Sequence, residues 1–200
     1  MKYAFVCFTL LIVGALTACS SPPVRYHTLN VAPPPRADAA PSAPFVIYLL
    51  PTGVPPQIDI PQLVVMTGND RIDLLDNDRW LSPVGDEIQT ALSSALTTLL
   101  HTQDVSGITS RPLRPVIFIR VQIRRFDSWP GQYVKLQADW GLRKGEEQLL
   151  CRTTLVEDAS GGMDEMFAAQ QRIVHRLAET IAQRASDPQL SASNKNLLCQ

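Results

Sequence analysis

The sequence predicts an α+β fold of two layers, with an antiparallel-rich mixed sheet packed against two amphipathic helices. Three observations carry that expectation. Between Ile117 and Glu157, three consecutive segments alternate apolar and polar residues, the pattern of strands with one face in a core. Two longer stretches, 84–100 and 163–184, repeat their apolar residues at helical spacing, so each has one stripe to bury. Ahead of them lie short apolar runs bounded by proline and glycine, which read as further strands.

Tyr26-His27-Thr28-Leu29 reads as a short first strand. The proline-rich stretch from Ala32 to Pro44 has no apolar period and reads as a surface loop or semi-rigid spacer. Phe45-Val46-Ile47-Tyr48-Leu49-Leu50 is apolar throughout, as in a strand buried on both faces, and a central place in the sheet is expected for it. Leu63 to Met66 and Ile72 to Leu75 flank Thr67-Gly68-Asn69-Asp70-Arg71, whose glycine and Asx residues suit the reversal of a hairpin. Ser82-Pro83 opens the first helix, with serine as N-cap, proline at the first helical position, and Asp86 and Glu87 near the positive end of the dipole. Its stripe is Val84, Ile88, Leu92, Ala95, Leu96, Leu99 and Leu100, and it ends near His101.

In the meander that follows, Ile117, Ile119, Val121 and Ile123 share one face while Arg120, Gln122 and Arg124 share the other. Val134, Leu136, Ala138, Trp140 and Leu142 alternate with polar neighbours in the same way. Lys144-Gly145 makes the turn into the third strand, Glu147 to Glu157. The second helix, from about Met163 to Arg184, buries Phe167, Ile173, Val174, Leu177 and Ile181, and Asp187-Pro188 closes it. The last dozen residues read as a polar tail apart from Leu197-Leu198-Cys199.

At the N-terminus, Lys2 supplies a positive n-region, Ala4 to Leu16 an apolar h-region, and Leu16-Thr17-Ala18-Cys19 a lipobox. The apolar run is too short to span a bilayer as a helix, which takes roughly 20 residues. The pattern resembles the bacterial lipoprotein signal, which implies cleavage between Ala18 and Cys19 and an N-acyl diacylglycerol group on Cys19, with no other cofactor. An ordinary secretory signal with a chance cysteine is the bland alternative. Ser20 and Ser21 stand where, by resemblance to the bacterial sorting rule, an aspartate would retain a lipoprotein at the inner membrane; serine favours the outer membrane. The chain therefore divides into a signal peptide (1–18), a lipidated N-terminus with short strand and spacer (19–44), a folded domain (45–187) and a tail (188–200). The six residues between Cys19 and Tyr26 reach only about 20 Å, so the body is expected to face the periplasm close to the bilayer.

Cleavage removes one of 18 basic residues and none of the 19 acidic ones, leaving a mature balance of minus two. No basic tract marks a nucleic-acid partner. With Cys19 acylated, Cys151 and Cys199 form an even pair in an oxidising compartment and are the candidate disulfide; a buried Cys151 with a loose Cys199 is the competing reading.

The three histidines, His27, His101 and His175, have no partner at metal-ligand spacing, and no metal site is expected. There is no Gly-x-Ser-x-Gly elbow and no phosphate-cradling glycine loop, so no catalytic residue is assigned. Ser160-Gly161-Gly162 reads as a plain turn. Asp76, Asp78, Asp86 and Glu87 read as a solvated loop and a charged first turn. Among the tryptophans, Trp140 belongs to the core face, whereas Trp129 and Trp80 are the candidate partner contacts, Trp80 with the rival role of stapling the helix. Arg120 and Arg124 read as a solvated sheet face that a partner with acidic residues could use.

Ile60-Pro61-Gln62-Leu63-Val64, the run Asp78-Arg79-Trp80-Leu81-Ser82-Pro83 and the Leu92-x-x-x-Leu96 helix resemble the ABC-type transport auxiliary lipoprotein family, and the likeness extends over about residues 20 to 188. Leu81 departs from the alanine common there. The resemblance implies a non-catalytic part of a trans-envelope lipid-transport machine, whose partners are an MCE-type protein, the outer membrane and, in an oligomer, further copies of the chain. A structural or assembly lipoprotein, serving insertion of outer-membrane proteins or lipopolysaccharide, is the alternative. A lipoprotein hydrolase is disfavoured by the missing motifs.

Overall fold

The structure, a computed structural model, describes residues 22–31, 42–68, 71–108, 112–187 and 198–199. The signal segment, Ala18, Cys19, Ser20 and Ser21, and most of the proline-rich stretch lie outside these residues. The fold is α+β as the sequence predicts, with two helices among the described residues, but the described strands separate into two mixed sheets rather than one.

The first sheet has the order β1-β4-β3, built from β1 (Arg25–His27), β3 (Gln62–Met66) and β4 (Ile72–Trp80). β3 and β4 are the expected hairpin, closed by Thr67 N–H donating to Arg71 C=O at 3.0 Å. Parallel to the far half of β4 runs β1, with Arg25 opposite Asp78 and His27 opposite Trp80. The first strand thus starts one residue and ends two residues earlier than expected, and Thr28 and Leu29 leave it to reach the first helix.

The second sheet has the order β2-β5-β6-β7-β8, with β2 (Val46–Leu49), β5 (Val116–Trp129), β6 (Tyr133–Lys144), β7 (Glu147–Asp158) and β8 (Leu198–Cys199). The meander is present, and its inward residues are fully buried: Ile117, Ile119, Ile123, Val134, Leu136 and Ala138 are at 0 % exposure. β2 pairs parallel to β5 and lies at the edge, not at the centre. It is buried all the same, because the segment after the first helix covers its open side. Ile47 N–H donates to Gln103 C=O and Val105 N–H to Ile47 C=O, at 3.0 and 2.9 Å. A strand whose free edge is satisfied by a loop has the same apolar signature as a central one.

At the opposite edge, β8 is formed by Leu198 and Cys199, from the apolar end that the tail carries. Cys151 and Cys199 face each other across β7 and β8 and are joined by a disulfide, 48 residues apart in sequence. A loop of that size stabilises by about 2–4 kcal/mol, chiefly through the unfolded chain.

Helix α1 (Val84–Leu99) and helix α2 (Met163–Ala185) pack on each other and on the inward sheet face, α1 against β2 and α2 across β5 to β7. Ile88, Leu92 and Leu96 from α1 and Ile173, Leu177 and Ile181 from α2 are fully buried between them. The start of α1 differs from expectation. Pro83, with φ −49° and ψ 140°, is itself the cap residue, and Ser82 caps nothing with its hydroxyl. The side chain of Glu87, at the fourth helical position, instead reaches back to accept the Ser82 N–H just ahead of the cap. Asp59 supplies the remaining acceptor, taking the Gly85 N–H at 3.2 Å.

Candidate functional site

Two features of this body stand out: the clamp that holds the first strand, and the open face of the five-stranded sheet.

The clamp is built on two carboxylates. Asp78 lies on β4 two residues before buried Trp80, on the same inward face, and is only 5 % exposed. Its Oδ2 accepts from Arg25 Nη2 and its Oδ1 pairs with His27 Nε2, both at 2.7 Å. The His27 ring stacks on Phe167 of α2 at 3.7 Å between centroids. Burial pushes the Asp78 carboxyl up, but the hydrogen bonds from Arg25 and His27 outweigh it and hold the group below the usual carboxylate range. One helical turn into the body, Glu87 is 4 % exposed and accepts four hydrogen bonds. Its Oε2 takes Thr28 Oγ1 (2.7 Å) and Leu29 N–H (3.0 Å), and its Oε1 takes Ser82 Oγ (2.7 Å) and Ser82 N–H (3.1 Å). Gln171 Nε2 adds a bond to Thr28 C=O at 3.0 Å. The chain is therefore fixed from Arg25 through Leu29 to β4, α1 and α2 together.

Asp78 and Glu87 are thus not the solvated charges that local sequence suggested. The signal that places them is positional: Asp78 shares the strand period of Trp80, and Glu87 falls beside Val84, Ile88 and Ala91 on the helix stripe. Asp76 and Asp86 are exposed, as expected of a solvated cluster. Trp80 is 6 % exposed and its ring belongs to the core beneath β1, so it offers no face to a partner. Trp129 is half-buried, with its ring 4.5 Å from that of Tyr133 at the end of the meander. Trp140 is buried and its Nε1–H donates to Thr153 Oγ1 at 2.9 Å. His101 ends α1 with φ +48°, His175 is exposed beside Glu179, and the described residues contain no group of side chains able to hold a metal ion.

The outward face of the larger sheet carries Arg120, Gln122 and Arg124 on β5, Asp139 and Gly141 on β6, and Leu150 and Arg152 on β7. Asp139 accepts Arg152 Nε at 2.6 Å, Arg152 Nη2 at 3.0 Å and Arg124 Nε at 2.8 Å. The Arg152 guanidinium first, and Arg124 with it, hold the carboxyl down to about 2 against the upward pull of partial burial. A depressed carboxylate contributes stability above its ordinary value of 3.8 and loses it as pH falls through about 2. Asp139→Asn is therefore expected to be less stable than the parent at about pH 5, with the gap closing toward about pH 2. Urea midpoints across that range measure it, and a constant difference would remove this ion triad from the acid response.

Between the helices, Leu29, Ala91, Ala95 and Val174 help line a cavity of about 120 Å³. That is well under the roughly 300–1,000 Å³ of a small-molecule site, and too small for a diacyl lipid. Among the described residues no helix is long and apolar enough to cross a membrane.

A first strand locked to the body, an open sheet face and two helices packed on the other face define a small α+β scaffold. The chain belongs to the family of ABC-type transport auxiliary lipoprotein components, whose model matches residues 27–182. The partner of such a component is a transporter. The fold is similar to that in a crystal structure of an uncharacterized protein, at a TM-score of 0.66 and 18% identity, covering 82% of this chain and 100% of that one. It is also similar to protein XCC0632 from Xanthomonas campestris, of the family DUF330, at a TM-score of 0.55 and 16% identity, covering 80% of this chain and 94% of that one. No curated protein matches the chain.

Proposed function

We propose that this chain is an outer-membrane-anchored, periplasm-facing and non-catalytic adaptor of an MCE-type lipid-transport system, docking the periplasmic MCE protein at the membrane. The observation that carries the reading is the family match over residues 27–182, which supports a transporter component over a free-standing enzyme. The lipobox ending in Cys19 supports the anchor, and the serines after it support the outer membrane. The hairpin supports the particular system: Val65-Met66-Thr67-Gly68-Asn69-Asp70-Arg71-Ile72-Asp73-Leu74-Leu75 looks like the corresponding segment of PqiC, the lipoprotein of the paraquat-inducible Pqi system. On that reading the MCE partner is PqiB.

The clamp gives the adaptor its mechanics. Five residues separate Cys19 from β1, a reach of under about 20 Å. Because Arg25, His27 and Thr28 are tied to Asp78 and Glu87, a pull on the anchor is transmitted to both sheets and both helices rather than spent in unwinding a tail. Affinity capture of the intact lipoprotein from solubilised envelopes tests the reading, with an MCE protein expected in the eluate. A deletion strain separates it from the assembly alternative, since loss of an adaptor leaves the levels of barrel proteins unchanged.

A further inference from the structure

We infer that the outward face of the five-stranded sheet is the docking groove for an acidic, carboxylate-bearing segment of the periplasmic protein partner. The inference rests on the docking role proposed above and assigns it a surface. Strand register sets the groove in two rows. Arg120, Gly141 and Leu150 lie opposite one another across β5, β6 and β7, and Gln122, Asp139 and Arg152 form the next row. Together with Arg124 they line a depression of about 520 Å³. Its floor is low because Gly141 has no side chain. A Cβ there would fall 2.8 Å from Leu150 Cδ2, so the exposed leucine lies across the glycine and gives the groove an apolar base.

The charge of the groove is one-sided. Arg120, Arg124 and Arg152 face one carboxylate, Asp139, and Arg143 stands beside them over the Phe118 ring. Asp139 engages Nε of Arg124 and both Nε and Nη2 of Arg152, which restrains those guanidiniums and leaves their other N–H groups without a partner among the described residues. Arg120 is exposed and makes no hydrogen bond or ion pair among the described residues. Fixed guanidinium forks match carboxylates two N–H bonds at a time, and an adjacent apolar base lowers the water content of the contact. A flat bilayer surface is met by protruding side chains, whereas these arginines rim a hollow, and a chain segment with acidic residues fits it.

The test uses the full lipoprotein in detergent, a fluorescent peptide rich in Asp and Glu, and vesicles containing phosphatidylglycerol. Wild type is expected to bind the peptide with an affinity that falls as salt rises, and the doubly reversed variant Arg120→Glu/Arg152→Glu about tenfold or more weakly. Arg120→Glu alone, which breaks no contact within the fold, is expected to weaken binding several-fold (about threefold or more). Equal binding by all three proteins, or arginine-dependent binding to the vesicles with none to the peptide, overturns the inference. Envelope capture separates it from the adaptor role: recovery of the MCE protein by wild type and equally by the double variant removes the groove and keeps the adaptor. Arginine-dependent peptide binding without any MCE protein in the wild-type eluate keeps the groove and removes the adaptor.

Discussion

Replacing Cys19 by alanine is expected to release a folded protein from the membrane and to abolish function. The size of the effect follows from lipid physics. A single acyl chain gives marginal, reversible binding, each buried methylene being worth about 0.8 kcal/mol, whereas the several chains of a processed lipoprotein cysteine make a stable anchor. The secondary-structure elements of the body begin at Arg25, so the domain is expected to fold without the anchor. Fractionation should therefore move Cys19→Ala from the outer membrane to the soluble or inner-membrane pool, with an unchanged thermal midpoint in the folded domain. Complementation of a deletion strain's envelope phenotype should fail. Full complementation by the unlipidated form contradicts the anchored role.

Glu87→Ala is expected to be the most damaging single change within the clamp. It strips acceptors from two backbone N–H groups, those of Leu29 and Ser82, and from two hydroxyls, at a site only 4 % exposed. Leaving buried donors unpaired costs about 1–3 kcal/mol each before relaxation, so a net loss of about 3 kcal/mol is expected. In a domain of this size that corresponds to roughly 6–12 °C in the thermal midpoint. The loss is also local. Without the Glu87 contacts, the first strand and Thr28 keep the short pairing with β4, the Asp78 contacts, the His27–Phe167 stack and the Gln171 bond, and limited proteolysis should cut first between about residues 25 and 31. Glu87→Gln, which keeps the shape and one acceptor oxygen, should fall between the two. Parental stability in Glu87→Ala, with β1 still protected, would contradict the clamp.

What the sequence showed clearly was whatever is set by local period. The alternation from Ile117 to Ile123 and from Val134 to Leu142 placed the inward face of the meander residue by residue, because a strand's side chains reverse at every step. The helix stripes were legible for the same reason. Pairings between distant segments were not. Nothing in Arg25-Tyr26-His27 announces a parallel partner 53 residues later, and nothing in Phe45 to Leu50 distinguishes a central strand from an edge covered by residues 103–105. The division into two sheets follows from those unseen pairings. Asp78 and Glu87 were misread for a related reason. Taken singly, a charge beside a helix start is usually solvated, and only the position of each on a buried strand face or helix stripe shows otherwise. The open arginine face was visible as a polar period, but its hollow was not, because the depth comes from Gly141 lying opposite Arg120 and Leu150.

The central claim is that a lipid-tethered body docks a transporter protein across the periplasm. Its most direct measurement is affinity capture of the tagged, lipidated chain from envelopes solubilised in mild detergent, with the co-purifying proteins quantified against an untagged strain. An MCE-type protein is expected as a specific component of the eluate, reduced in Arg120→Glu/Arg152→Glu. An eluate without an MCE protein, obtained while that protein is present and folded in the same envelopes, contradicts the account.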